Sequence, residues 1–108
     1  MGYNFHITRK EHWADEEGPH ISLDEWITYA GNDNDVKPDS DNPGFENWII
    51  TTHDGACPLW WDNAGNLVAK NPDQLMLEKM VSIANALGAY VLGDDGEVIV
   101  SDKNQLKK

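Results

Sequence analysis

The sequence predicts an α+β domain in the order β-α-β-β-β-α-β-β, a mainly antiparallel sheet with two helices packed on one face. Three observations lead there. Two segments open on helix-capping signatures and go on with apolar residues at helical spacing. Six short segments carry the alternation or apolar character of strands. Gly, Asn and Asp clusters of turn type separate them, two of them joining strands as hairpins. The 108 residues, 40% hydrophobic and 25% charged, suffice for one domain spanning residues 1–108 with one modest core.

Residues 3–8 alternate. Tyr3, Phe5 and Ile7 point one way and Asn4, His6 and Thr8 the other, as in a half-buried strand. A charged connection follows, with Trp13 and the run Asp15-Glu16-Glu17, closed by Gly18-Pro19. Ser22 and Glu25 form a capping box, flanked by the Ile21–Trp26 hydrophobic staple, so a helix is expected over 23–30 with Gly31 as its left-handed terminator. Residues 32–44 hold Pro, Gly, Asn and Asp without apolar period and predict a long acidic surface loop.

A strand is expected over 45–52, ended by His53-Asp54-Gly55. Residues 59–62 and 66–70 follow as a hairpin around Asn63-Ala64-Gly65. Asn71, with Pro72 at the first helical position and Gln74 three residues on, predicts the cap of a second helix. Its stripe is Leu77, Met80, Val81, Ala84 and Leu87, and Gly88 ends it. A last hairpin runs over 89–92 and 97–100 around Gly93-Asp94-Asp95-Gly96, and residues 101–108 read as a flexible polar tail.

Charge restricts the partners. There are 19 acidic and 8 basic residues, a net charge of −11. Residues 1–46 carry −8 of it and residues 47–108 only −3. Binding to nucleic acid needs clustered Lys and Arg, and anionic lipid repels such a chain, so no nucleic acid and no membrane are expected as partners. A basic protein is the complementary partner. Most of the acid lies in residues 11–17, at the start of the first helix and in the 32–44 loop. Such runs serve as solvated faces; they also suit an electrostatic plug for a basic cleft such as a nuclease groove.

Five tryptophans stand against two phenylalanines. Trp60 and Trp61 are adjacent, so on a strand they face opposite sides. Neighbouring strand segments are also apolar on both faces, at Ile49-Ile50, Val91-Leu92 and Val98 to Val100. With both helices on one face, the other must be covered by the Asp-rich loop, by the Trp13 segment, or by a partner for which tryptophan is an anchor.

Catalytic and metal patterns are weak. From Asp39, a calcium-loop pattern finds Asp41 and Gly44 in place, but Pro43 sits at position 5 and Ile50 replaces the bidentate Glu of position 12. The four histidines have no zinc spacing, and Cys57 is the one cysteine. Cys57 near His53, and His12 near Glu16 or Glu17, are superficial nucleophile–base and acid–base pairs. No phosphate loop or hydrolase motif occurs. No metal, no cofactor and no enzymatic activity are expected. The N-terminal residues lack a signal-peptide pattern and there is no disulfide to form, so a cytoplasmic protein is expected.

Tyr3-Asn4-Phe5-His6-Ile7-Thr8-Arg9-Lys10 with Trp13, Ile21-Ser22-Leu23-Asp24-Glu25-Trp26, Leu59-Trp60-Trp61, Ala69-Lys70-Asn71-Pro72-Asp73 and Gly93-Asp94-Asp95-Gly96-Glu97 resemble a family of small, acidic, uncharacterised bacterial proteins. The resemblance covers roughly residues 3–100. Similar small acidic proteins accompany polymorphic or contact-dependent toxins as cognate immunity proteins, so the resemblance implies a protein partner and brings no catalytic residues. The expected function is therefore that of a non-enzymatic immunity or antitoxin-like protein blocking a basic toxin domain. Its expected contacts are Asp15, Glu16, Glu17, Asp33, Asp35, Asp39 and Asp41 for charge, with Trp13, Trp60 and Trp61 as anchors. The alternative is a small regulatory or ligand-binding domain, dimeric through the outer sheet face.

Overall fold

The computed structural model describes residues 3–53 and 55–99. Nine elements follow in the order β1 (Asn4–Thr8), α1 (Leu23–Gly31), β2 (Val36–Pro38), β3 (Asn47–Thr52), β4 (Gly55–Trp61), β5 (Leu67–Lys70), α2 (Gln74–Ala86), β6 (Tyr90–Gly93) and β7 (Val98–Ile99). The fold is α+β. All seven strands join one antiparallel sheet in the order β2-β3-β4-β5-β1-β6-β7.

The topology has one non-local step. Strands β2 to β5 form a meander, and β1 inserts between β5 and β6, antiparallel to both. Hence β5 and β6 run in the same direction, and two such strands need a crossover rather than a tight turn. Helix α2 is that crossover. Asn71 secures its start: its backbone takes the left-handed conformation at φ 50, its N–H donates to Tyr3 O and its Oδ1 accepts from Tyr3 N.

Period-two alternation sorts the sheet into two faces. The inner face carries Ile7, Leu67, Ala69, Val91, Leu59, Ile50 and Val36, all buried in one cluster with Trp26 and Ala30 of α1 and Met76, Met80, Val81, Ile83 and Ala84 of α2. Both helices therefore cover this face. Trp26 fills it most: it is fully buried, its indole N–H donates to Glu46 O, and its ring meets Trp48 edge-on. The Ser22–Glu25 capping box forms as expected.

Four local expectations are corrected. The 32–44 segment is not all loop, because Val36–Pro38 pairs with Trp48–Ile50 as the edge strand β2, with Val36 buried against the core. Its three residues are too few to show a period. Strand β4 starts at Gly55, four residues early, so Cys57 and Pro58 lie in the sheet opposite Ile50 and Ile49. Helix α1 runs through Gly31 and ends on Asn32 at φ −107, so no left-handed glycine is used there. Helix α2 is capped by Asp73, which accepts from Met76 N, because Asn71 is already engaged with β1. At the far end Gly88 takes φ 66, as its position predicted. The expected tail at 101–108 and residue 100 of the last hairpin lie outside the described residues.

Candidate functional site: an acidic strap on the outer sheet face

The outer face carries two of the five tryptophans, Trp13 and Trp60, together with the acidic 9–20 segment. Pairing aligns one row across it, Asn47, Trp60, Val68, His6, Leu92 and Val98. Residues 9–20, here the strap, leave the end of β1 and fold back over the middle of that row. Val68, His6 and Leu92 are buried beneath it, whereas Val98 at the end of the row is 61% exposed. Of the two coverings the sequence left open within the chain, the Trp13 segment is the one used on this half of the sheet.

Ties from the sheet fix the strap. The Trp13 indole stacks on the His6 imidazole, ring centres 4.0 Å apart and planes 4° from parallel. Trp13 Nε1 donates to Asp94 O at 3.3 Å, and Asn66 Nδ2 donates to Trp13 O at 2.8 Å. Inside the strap, the buried Lys10 sends its ammonium to Asp15 O at 2.8 Å while its stem packs by Gly18. At the base, Arg9 donates to Leu87 O, to His20 O and to both carboxylate oxygens of Glu25. These bonds use backbone carbonyls or residues at the strap's base. They leave Glu11, Asp15, Glu16 and Glu17 exposed.

The β6–β7 turn adds more acid beside them. The His12 ring lies against Gly96, and Trp13 reaches Asp94, so Asp94, Asp95 and Glu97 adjoin the strap. Desolvation pushes the Asp94 carboxyl up, but the Asn4 N–H and His6 outweigh it and hold Asp94 below its usual range. Glu97 is likewise held down, chiefly by the Tyr3 hydroxyl at 2.7 Å, and the phenol rises to about 12 in return. Sequence reasoning left these three residues out of the site. They read as a hairpin turn, and nothing local shows that a turn some 80 residues downstream reaches Trp13.

The expected contact set is split by the fold. Asp15, Glu16, Glu17 and Trp13 belong to the strap. Asp33, Asp35, Asp39 and Asp41 flank β2 on the far edge; at about 4.8 Å per strand that edge is roughly 20 Å from β1. Two of the four are consumed by the fold. Asp33 binds Lys79 at 2.9 Å, the Tyr29 hydroxyl and Asp35 N; burial pushes its carboxyl up, and these partners bring it below the usual range. Asp39 is 5% exposed and accepts from Asp41 N, Asn42 N and Asn42 Nδ2. Asp35, 3.1 Å from Lys79, and Asp41 stay exposed.

The paired tryptophans do point apart. Trp61 packs on the inner core and donates to Ile21 O at 2.7 Å, so it anchors the fold. Trp60 is half-buried on the outer face next to Val68. Beside it lie Ile49, half-buried, and Pro58, exposed, paired across β3 and β4. This apolar strip adjoins the buried Val68 through the Trp60–Val68 pair. Phe45, just before β3, is 76% exposed.

The two acid–base readings find little support. Cys57 is on the inner face with Sγ toward Pro58 O, and burial pushes its thiol up, the opposite of what a nucleophile needs. His12 Nδ1 accepts from Ala14 N, and its ring stacks on Trp13. Among the described residues no three His, Cys, Asp or Glu gather as a metal would require, and no helix is long and apolar enough to cross a membrane. No family model, curated protein or solved structure matches this chain.

Proposed function

We propose that this chain is a non-enzymatic immunity or antitoxin-like protein that binds and blocks a basic bacterial toxin domain in the cytoplasm, with a nuclease as the working case. One observation carries the reading: the outer sheet face bears both the strap, with the exposed carboxylates of Glu11, Asp15, Glu16 and Glu17, and the Ile49–Pro58–Trp60 apolar strip. Acidic groups speed the encounter with a basic cleft, and a desolvated tryptophan beside them supplies affinity. The contact set is accordingly the strap acids, the neighbouring Asp95 and Glu97, and Trp60. Asp33, Asp39 and Trp61 serve the fold, and Trp13 holds the strap.

The test is co-expression with the protein encoded next to it. Co-purification together with relief of toxicity supports the reading; a harmless neighbour that does not bind removes it. The same apolar strip favours one other reading, a homodimeric regulatory domain closed through the outer face. That reading expects a concentration-dependent mass by light scattering which Trp60→Ala abolishes.

A further inference from the structure

Beneath Trp13 lies a small polar cell. His6, Thr8 and Asn66 are all at least 96% buried on the outer face. His6 pairs with Val68 and Ile7 with Leu67, which places Asn66 opposite Thr8 and diagonal to His6. Two atoms in the cell, His6 Nδ1 and Asn66 Oδ1, are buried without a protein partner among the described residues. Buried polar atoms in folded proteins are paired with protein or with an ordered water, so two orphans in one place require a common explanation.

Hydrogen accounting defines what fits. His6 Nε2 is 2.9 Å from the Asp94 carboxylate, which also accepts from Asn4 N, so Nε2 carries the hydrogen. A neutral imidazole then presents Nδ1 as a bare acceptor. Asn66 donates through Nδ2 to Trp13 O, which fixes its amide and makes Oδ1 an acceptor too. Thr8 Oγ1 already accepts from Lys10 N, leaving its hydroxyl hydrogen to give. The cell therefore offers two acceptors and one donor.

We infer that these three side chains hold one buried water molecule, which donates to His6 Nδ1 and Asn66 Oδ1 and accepts from the Thr8 hydroxyl. Three hydrogen bonds are what a buried water ordinarily makes. A diagonal pair on an antiparallel ladder stands about 7–8 Å apart at the backbone, a span that two side chains and one water bridge. The water completes the seat of the strap: it joins β1 and β5 under the same Trp13 that Asn66 and His6 hold from below. This stands whether or not the strap is a toxin-binding surface.

The experiment is nitrogen-15 NMR on the whole wild-type chain, above about pH 8 so that histidine is neutral. The expected result is a His6 ring with hydrogen on Nε2 and a bare Nδ1, together with cross-relaxation between a long-lived water and protons of His6 or Trp13. A hydrogen on Nδ1, or a bare Nδ1 with no long-lived water, overturns the site. Thr8→Val keeps the shape and removes the donor, so the water's residence time should fall roughly fivefold. An unchanged residence time removes the three-bond arrangement.

Discussion

Trp13 lies flat on His6, ring centres 4.0 Å apart, and this stack joins a loop to the middle of a sheet that would otherwise be open on that side. The two residues are only seven apart in sequence, yet the strap between and beyond them covers β5, β1 and β6 together. Trp13→Ala should leave the inner core intact and free the strap. The expected loss is about 2 kcal/mol, below the roughly 3–5 kcal/mol of a fully buried aromatic because the ring is only partly buried. Urea unfolding measures the loss, and faster proteolysis within residues 11–18 at unchanged far-ultraviolet dichroism locates it.

Charge steering should belong to the strap and not to the β2 edge. Neutralising Glu11, Glu16 and Glu17 together to Gln should slow association with the basic partner about tenfold at low salt and flatten its salt dependence. Asp35→Asn with Asp41→Asn should leave the on-rate unchanged. Stability should move by no more than about 0.5 kcal/mol in the strap variant, since none of its three carboxylates ties the fold. Stopped-flow rates at several salt concentrations decide it; equal effects from both sets would dissolve the distinction between the two acidic edges.

Arg9 and Glu25 join the strap to α1. Their bidentate pair, with the Ser22 N–H, holds the Glu25 carboxyl down at about 2, well below its ordinary 4.5. A carboxylate whose pKa is lowered by folding stabilises the native state fully above its unfolded value. That contribution is lost as pH falls from 4.5 towards 2. Because the Glu25 carboxylate is 44% exposed and its ion pair is screened by solvent, Glu25→Gln should cost only about 1 kcal/mol at neutral pH, mostly through the weakened capping box. It should also flatten the acid limb of the stability profile, measured by urea midpoints across that range.

Two glycines separate backbone strain from steric contact. Gly88 has φ 66 with open space around its would-be Cβ, so Gly88→Ala should cost about 1 kcal/mol from conformation alone. Gly65 has φ 84, and a Cβ there would come within 2.3 Å of the His20 ring. Gly65→Ala should cost more, roughly 2–3 kcal/mol, because the turn N–H and C=O that hold Asp62 and Ile21 must shift as well. Thermal melts of the two variants give the difference directly; equal losses would mean that His20 simply swings away.

Cys57 should be a poor nucleophile. Its thiol is raised by burial and by the charge of Asp73. Alkylation of the native protein at neutral pH should be slower than that of free cysteine by tenfold or more, and should reach the ordinary rate on unfolding. Rapid native labelling would reopen the catalytic reading.

Local chemistry was legible wherever a short stretch fixes its own geometry. The Ser22–Glu25 box, the alternation of residues 3–8, the opposition of Trp60 and Trp61 and the stop at Gly88 all depend on neighbours within a few positions. Capping moved from Asn71 to Asp73 because Tyr3, 68 residues away, claims the asparagine first. β2 escaped notice for a similar reason, since three residues become a strand only when β3 is present to pair with them.

The sequence by itself determined the α+β class, the order of every element except the short strand β2, the charge sign and the existence of apolar surface on both sheet faces. Only the tertiary structure decided that the Trp13 segment closes one half of the outer face, that Asp94, Asp95 and Glu97 adjoin it, and that Asp33 and Asp39 are spent inside the fold. The physical reason is that a carboxylate or an indole has the same local signature whether solvated, paired or stacked. Which of these it becomes is set by partners that sheet order brings together, and β1 meets β5 and β6 only because α2 carries the chain from one to the other.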